Sequence, residues 1–324
     1  MTLDRLLILI LTFIIISCGS RFDGETEIIG REATLDRDKN LINLKEDSTW
    51  RKIKLKGDTT KSYRGLEWSN TNDDFLTIEY SKNENGRLVE GDIVKVNQNG
   101  ELVEKIVDNK AGKLIWGMSL SKNDNKLLFG IKLDYFDPEN PLAQLELPIS
   151  YFIMDYKKNE IIKKLDTVAL ANNIWINNRP WLKDENRFIY DFRTDRKMKL
   201  ADDNSDNEPS GKSGIYLYNT ESDEYSLLIS GGYSGEVSPT EDKITYLKDR
   251  RIWVYDINTK SNELLYTLNK KESTVSVEWT PDGNYVYFVS YEDYFYDLFF
   301  DSYQTLIRLT DKKLMKVNHK NRYN

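Results

Sequence analysis

One ten-residue pattern occurs five times along the chain and constrains the fold more than any other feature. Its clearest copy is WTPDGNYVYF at 279–288, and the other copies align with it without a gap at 68–77, 120–129, 181–190 and 237–246. The first column holds Trp, Leu or Val, the eighth is always apolar, and the columns between are rich in turn formers. The pattern predicts a strand, a tight turn and a returning strand.

A second shared unit follows each copy of the pattern. It is clearest at 252–266, and its counterparts start at residues 92, 151, 215 and 305. Each counterpart reads as a strand, a polar turn and another strand, so each repeat holds four short antiparallel strands, called a to d below. After the first twenty residues no long apolar segment has helical periodicity, and we therefore predict an all-β chain.

The Trp-Ser/Thr-Pro-Asp-Gly pattern resembles the WD-like repeat of TolB-type β-propellers, also found in the propeller domains of prolyl-oligopeptidase-like peptidases. The resemblance covers about 62–318 and implies a single β-propeller of four-stranded antiparallel blades. A blade cannot bury both faces of its sheet alone, so the repeated apolar columns are predicted to fill the seams between blades. Residues 25–60 contain three further strand-like segments, so we expect a propeller over 25–324 with six blades, five being the alternative.

The first twenty residues predict export and lipidation. The apolar run from Leu6 to Ile16 is too short to span a bilayer but suits the apolar part of a signal peptide. The residues before Cys18, the only cysteine, resemble a bacterial lipobox. We therefore predict a signal peptide at 1–17 and an acylated Cys18 with a tether at 18–24. An ordinary secretory signal or a membrane anchor, with Cys18 incidental, is the alternative.

This anchor predicts a location in the bacterial cell envelope. Acyl chains hold a protein on a bilayer durably when two or more are present. Gly19 after the cysteine resembles the signal for outer-membrane sorting in enterobacteria, and the face of the membrane stays open.

Composition narrows the class of partner. The chain is 31% charged and 12% aromatic with a formal net charge of −7, which is globular and acidic. An acidic chain lacks the basic stripe that nucleic acids require, so no nucleic-acid partner is expected. We expect a monomeric propeller that binds an envelope protein or a glycan.

The histidine count restricts the chemistry. His319 is the only histidine and lies in the polar C-terminal tail, so neither a Ser-His-Asp triad nor a zinc or iron site built on histidine is expected. The same count excludes a propeller polysaccharide lyase that depends on a histidine-bound metal. The segment GYSGE around Ser234 lacks the last glycine and the strand-to-helix setting of a nucleophile elbow.

Three glutamates share one place in the repeat. Glu67, Glu236 and Glu278 each come directly before the first column. Because strand a is innermost in a propeller, they could converge near the channel and hold a cation such as Ca²⁺. The alternative is hydration at the channel mouth or pairing with a basic side chain such as Arg64. No other cofactor is expected.

The connections between strands b and c differ in length. Three are long, at 132–150, 193–214 and 290–304, whereas the one at 247–251 is minimal. All of them leave from the same ends of the strands, and loops on a rigid scaffold are where binding residues concentrate. The predicted partner-binding residues on these loops are Asp134, Tyr135, Phe136, Asp293, Tyr294, Tyr296 and Asp297.

The function expected from these features is a non-enzymatic binding or scaffold module for a protein partner. One alternative is a glycan-active enzyme that uses carboxylates only, with two acids about 5–10 Å apart at the b–c face and one pKa raised. The other alternative is a receptor for a small ligand or cation at the three glutamates.

Overall fold

The computed structural model describes most of the chain after residue 30, and the strands account for most of it. No helix occurs among the described residues, as the all-β prediction requires, and none there could therefore cross a membrane. The described ranges are 31–36, 39–46, 49–57, 60–69, 71–84, 88–109, 113–133, 149–165, 174–175, 179–192, 212–269, 272–274, 276–292 and 302–318.

The chain divides into two compact units, residues 1–115 and 116–324. In the first unit, the predicted N-terminal strands form a three-stranded antiparallel sheet, sheet 1, and the first repeat forms sheet 2. Sheet 1 consists of β1 (Arg31–Asp36), β2 (Leu41–Glu46) and β3 (Thr49–Lys54). Sheet 2 consists of β4 (Ser62–Trp68), β5 (Phe75–Lys82), β6 (Leu88–Val96) and β7 (Leu102–Val107).

The other four repeats form sheets 3 to 6, in which neighbouring strands are antiparallel and mostly follow chain order. Sheet 3 holds β8 (Lys113–Leu120), which contains the division between the units, β9 (Lys126–Leu133), β10 (Ile149–Asp155) and β11 (Glu160–Lys164). Sheet 4 holds β12 (Ile174–Trp175), β13 (Arg187–Phe192), β14 (Gly214–Asn219) and β15 (Glu224–Ser230). Sheet 5 holds β16 (Tyr233–Val237), β17 (Lys243–Lys248), β18 (Arg251–Asp256) and β19 (Ser261–Thr267).

In sheet 6, strand a is interrupted, and both of its pieces pair with the same strand b. The sheet holds β20 (Glu272–Ser273), β21 (Val277–Trp279), β22 (Tyr285–Glu292), β23 (Ser302–Arg308) and β24 (Leu314–Asn318).

The five a–b turns are built alike. In every copy the backbone N–H of the second column donates to the carbonyl of the seventh at 2.8–3.0 Å. In three copies the second-column residue has a hydroxyl that also accepts a hydrogen bond from the N–H of the seventh column. These residues are Ser121, Ser238 and Thr280. Leu182 has no hydroxyl, and the Asp184 carboxylate accepts that N–H instead, at 3.0 Å. The turn is therefore held by side chains as well as by the backbone.

The fifth column of the turn has a left-handed backbone in four copies. Its φ values are +54° at Asp124, +54° at Glu185, +61° at Glu241 and +70° at Gly283. Glycine adopts this conformation without strain and Asp more readily than most residues, which explains Gly283 and Asp124 in this column.

The first and eighth columns face each other across the turn and fill the seams, as predicted. Paired positions are Trp68–Phe75, Trp181–Phe188, Val237–Ile244 and Trp279–Val286. All five eighth-column side chains are buried. Apolar clusters join sheet 1 to 2, sheet 3 to 4, sheet 4 to 5 and sheet 5 to 6.

Two first-column tryptophans also hydrogen-bond to the preceding sheet. The indole Nε1 of Trp279 donates to the carbonyl of Glu236 at 3.1 Å, and that of Trp181 donates to the carbonyl of Ser119 at 3.2 Å. The accepting residue is in each case the one before the first column of the preceding copy. The same contact therefore fixes the spacing of successive sheets at two seams.

We predict that Trp279→Ala lowers the free energy of unfolding by about 3–5 kcal/mol, because it removes a buried aromatic side chain and its indole hydrogen bond. Chemical denaturation followed by circular dichroism measures this value. Leu314→Ala is the control: Leu314 is 40% exposed on an outer strand, and we expect a change within about 0.5 kcal/mol. Equal losses in the two variants would contradict the seam assignment.

Candidate functional site

Two of the three glutamates predicted as cation ligands lie near one arginine within residues 116–324. Glu236 is in β16 and Glu278 is in β21. The carbonyl of Arg179, just before the third copy, accepts the N–H of Val237 at 3.0 Å, which places the two chain segments side by side. The Nε atom of Arg179 lies 3.8 Å from Oε1 of Glu236.

Glu236 has partners for both of its carboxylate oxygens. Its side chain is 5% exposed, and Oε2 accepts the backbone N–H of Trp279 at 3.3 Å, while Oε1 faces Arg179. A buried carboxylate that is paired in this way ties three successive repeats together.

Glu278 is in a different electrostatic environment. It lies directly opposite Tyr287 on the neighbouring strand, and the Tyr287 hydroxyl donates to its Oε2. Burial raises the pKa of Glu278, and the Tyr287 hydrogen bond and the positive charge of Arg179 offset only part of that effect. Glu278 therefore keeps its proton to a higher pH than a free glutamic acid.

The described residues provide no metal centre at these positions. They contain no group of three or more His, Cys, Asp or Glu side chains that could hold an ion. Glu67 is half-buried in β4 of the first unit, opposite Leu76. The predicted cation site at Glu67, Glu236 and Glu278 therefore gains no support from the described part of the chain.

The cluster of Arg179, Glu236, Glu278 and Tyr287 can hold a proton and offer a hydrogen-bond donor. Nη1 of Arg179 is buried and has no hydrogen-bond partner in the part of the chain that the structure describes. Glu236 and Glu278 lie next to the a–b turns, because each is one residue before the first column. Among the described residues, the raised pKa expected of a carboxylate enzyme is found for Glu278, at the a–b end of the strands.

The b–c ends of the strands show where the long connections start and finish. Strands b and c extend into each predicted connection. The segments that remain between the two strands are 134–148, 193–213 and 293–301. The predicted partner residues Asp134, Tyr135, Phe136, Asp293, Tyr294, Tyr296 and Asp297 lie outside the described residues, as does Cys18.

The short b–c connection is a two-residue turn. Lys248 and Arg251 pair directly, and Asp249 and Arg250 between them have φ values of +51° and +59°. The Arg250 side chain donates to the carbonyls of Asn269 and Glu272 at 2.5 and 2.7 Å, which fixes the neighbouring d–a loop. This repeat shows the minimum that the scaffold needs at its b–c end.

Comparison with known proteins identifies the fold. No family model and no curated protein matches the chain. Among solved structures, an oligogalacturonate lyase in complex with manganese has a TM-score of 0.51 at 12% identity, over 89% of this chain and 72% of that one. The fold is that of a TolB-type β-propeller.

Two further structures have TM-scores of 0.49. One is assigned as TolB from Agrobacterium tumefaciens, at 14% identity over 83% of each chain. The other is an oligogalacturonate lyase from Vibrio parahaemolyticus, at 10% identity over 91% of this chain and 86% of that one. The predicted all-β propeller of four-stranded blades is confirmed, and the six-blade count stays a prediction.

Sequence reasoning missed Arg179 and Tyr287 in the propeller cluster. Arg179 lies two residues before a first column, and the aligned Glu position there holds Pro180, so the glutamate column gave no signal for it. Tyr287 could have been found from strand pairing, because it opposes Glu278 once the turn is placed.

Ser234 takes part in a blade-to-blade contact through its backbone. Its φ is +55° at a bulge in strand a, and its N–H and that of Gly235 donate to the buried carboxylate of Asp191 in the preceding blade. Gly65 occupies the same column of the first repeat, also with positive φ, +65°. The resemblance of GYSGE to a catalytic turn thus has a structural cause.

We predict that Glu278 makes the propeller less stable as pH rises. The native pKa is raised above the unfolded value of about 4.3, so the native state binds more protons between the two values. Stability relative to Glu278→Gln should therefore fall as pH rises from the unfolded pKa through the native one, and be constant above it. Denaturation midpoints of both proteins across pH 3–9 measure the difference.

Tyr287→Phe is the matched variant for this experiment. It removes the hydrogen bond that lowers the pKa of Glu278, so the upper limit of the pH window should move to higher pH. An identical pH profile for the wild type and Glu278→Gln would show that Glu278 titrates as a free side chain.

Proposed function

We propose that this chain is a lipid-anchored cell-envelope protein whose β-propeller is a non-enzymatic binding module for a protein partner. The partner would dock at the b–c ends of the blades. The observation that carries this proposal is the contrast between the two ends of the strands within residues 116–324.

The a–b ends are uniform and tightly closed. Their turns share one pattern of backbone hydrogen bonds, and side chains connect turns of different blades. The Glu185 carboxylate accepts the N–H of Asn123 at 2.5 Å and the side-chain amide of Asn125 at 2.6 Å, and Lys122 lies 3.6 Å from Glu241. Such ends serve the scaffold and leave little variable surface for recognition.

The b–c ends carry the variable segments. The b–c connections of sheets 3, 4 and 6 are 134–148, 193–213 and 293–301. The corresponding connection of sheet 5 has only two residues. Folding does not need that extra length, so it is available for binding. The last segment alternates acidic and aromatic residues, a composition suited to a protein interface. Asp134, Tyr135, Phe136, Asp293, Tyr294, Tyr296 and Asp297 are the proposed contact residues.

The proposed anchor is an acylated Cys18 at the start of the mature chain, with the propeller on the cell envelope and the outer membrane as the expected membrane. Mass spectrometry of the N-terminal peptide should find acyl chains on Cys18. Cys18→Ser should release the propeller from the membrane fraction. An unmodified Cys18, or membrane retention of the variant, would contradict the anchor.

A carboxylate-only glycan enzyme is the second candidate, because burial raises the pKa of Glu278 and a second carboxylate, that of Glu236, faces the same arginine, Arg179. The oligogalacturonate lyase of similar fold was solved with manganese. This chain has one histidine, His319, so a metal site built on several histidines is not available to it. The proposed enzyme would therefore have to use carboxylates, with Glu278 and Glu236 as the candidate pair.

The deciding experiment for the binding module is in-cell crosslinking and capture of the tagged protein. In the test variant, 293–300 is replaced by Asn-Gly, because the pairing of Tyr291 with Ser302 allows a two-residue turn there. We expect the wild type to capture one specific envelope protein and the variant to lose at least tenfold of it.

Lys158→Ala is the control for this capture, because Lys158 is an exposed residue of a c–d turn at the opposite end of the strands. It should capture as much as the wild type. Equal capture by the wild type and a folded loop variant would contradict the proposed docking surface.

A further inference from the structure

One lysine of the described chain is buried without a counter-charge. Lys132 is the penultimate residue of β9 and is 1% exposed. It pairs directly with Ile149, and Leu128, two pairs along the same side of the sheet, belongs to the apolar cluster between sheets 3 and 4. The side chain therefore enters the seam between these two blades, at its b–c end.

Nothing described in this seam neutralises the ammonium group. Lys132 has no hydrogen bond or ion pair with any described residue, and its ammonium lies over the ring of Trp116, with Nζ 4.4 Å from the ring centroid. The titratable members of the seam cluster are Tyr151, Tyr190, Tyr216 and Tyr218. Burial raises the pKa of each phenol, so all four are neutral near pH 7.

Burial without a described partner brings the pKa of Lys132 close to neutral pH, so the protonated and neutral forms of the amine are close in free energy. Desolvation lowers the pKa of Lys132 to about 8. Attraction to an aromatic face compensates only part of the loss of hydration. A carboxylate brought to this amine would restore the charge-stabilising contact that the seam lacks.

Another basic side chain at the b–c end of a blade shows the contrast. Lys248 is the last residue of strand b in sheet 5, and its ammonium donates to the carbonyl of Ser230 at 2.8 Å. That lysine is hydrogen-bonded within the scaffold. Lys132 forms no such bond with a described residue, so turning its flexible stem toward the blade end breaks no hydrogen bond that the structure describes.

We propose that Lys132 is the recognition cation of the b–c face and that it receives an Asp or Glu carboxylate of the protein partner, beside Trp116. This inference rests on the proposed function, because it names the chemistry of the partner at the same face. Tryptophan is enriched in the hot spots of protein interfaces, and complementary charges there give specificity.

The test measures the titration of Lys132 directly. The protein is reductively methylated with ¹³C-formaldehyde, and the Lys132 resonance is assigned by its absence in Lys132→Arg. In the free protein this resonance should titrate near pH 8. Hexaglutamate should move that midpoint upward by about one pH unit or more, and hexaglutamine should leave it unchanged. A free midpoint near 10.5, as in an exposed lysine, would overturn the proposal.

Binding measurements complete the test with matched variants. Lys132→Met should weaken hexaglutamate binding about tenfold or more, whereas Lys248→Met should leave it within twofold. Equal losses in the two variants would indicate general electrostatic attraction and overturn the site. A shift of the Lys132 midpoint by polygalacturonate, but not by hexaglutamate, would overturn the peptide assignment.

The capture experiment separates this inference from the proposed function. If Lys132→Met captures the envelope protein as well as the wild type while the 293–300 variant does not, the binding module stands and the role of Lys132 fails. If neither the wild type nor any variant captures a protein, the proposed partner class fails, whatever the hexaglutamate titration shows.

Discussion

The seam between successive blades is the constraint on which the rest of the structure depends. Each sheet is narrow and cannot bury both of its faces, so every blade needs a neighbour. The first and eighth columns of the repeat supply that contact with buried apolar side chains. At two seams the indole N–H of Trp181 or Trp279 also fixes the neighbouring backbone. Because the seams hold the blades together, the two ends of the strands need not contribute equally to stability. The a–b ends and the b–c ends can therefore have different roles.

The a–b ends are used for stability. Hydroxyl and carboxylate side chains close the turns, and residues such as Glu185 connect one turn to the next. Glu236 extends the same work inward, because its buried carboxylate joins Arg179 to the backbone of Trp279. Polar groups buried at such positions favour one register of the blades over others, since a shifted register would leave them unpaired.

The b–c ends carry a polar group that the described part of the scaffold does not pair. Sheet 5 shows that two residues suffice there, with Arg250 satisfying the adjoining loop. In sheet 3, Lys132 near the end of β9 is buried beside a tryptophan and has no charged partner among the described residues. A stable protein tolerates an unpaired buried amine only at a cost in free energy, which is a reason to look for a ligand that offsets that cost. The proposed partner and the proposed role of Lys132 are thus two statements about the same end of the propeller.

The sequence by itself determined the repeat, the all-β class, the strand-turn-strand units and the buried columns. Periodicity and turn chemistry are local properties of the sequence. Because the pattern occurs five times, it can be recognised even in the copy where Leu182 replaces the second-column Ser or Thr. Only the tertiary structure decided which side chains meet. Glu236 and Glu278 both lie near Arg179, and the Asp191 carboxylate accepts the N–H of Ser234, whose φ is positive. These residues are more than 40 positions apart in the chain. Lys132 looks like an ordinary polar residue of a strand in the sequence, and packing alone buries it beside Trp116 with no counter-charge among the described residues.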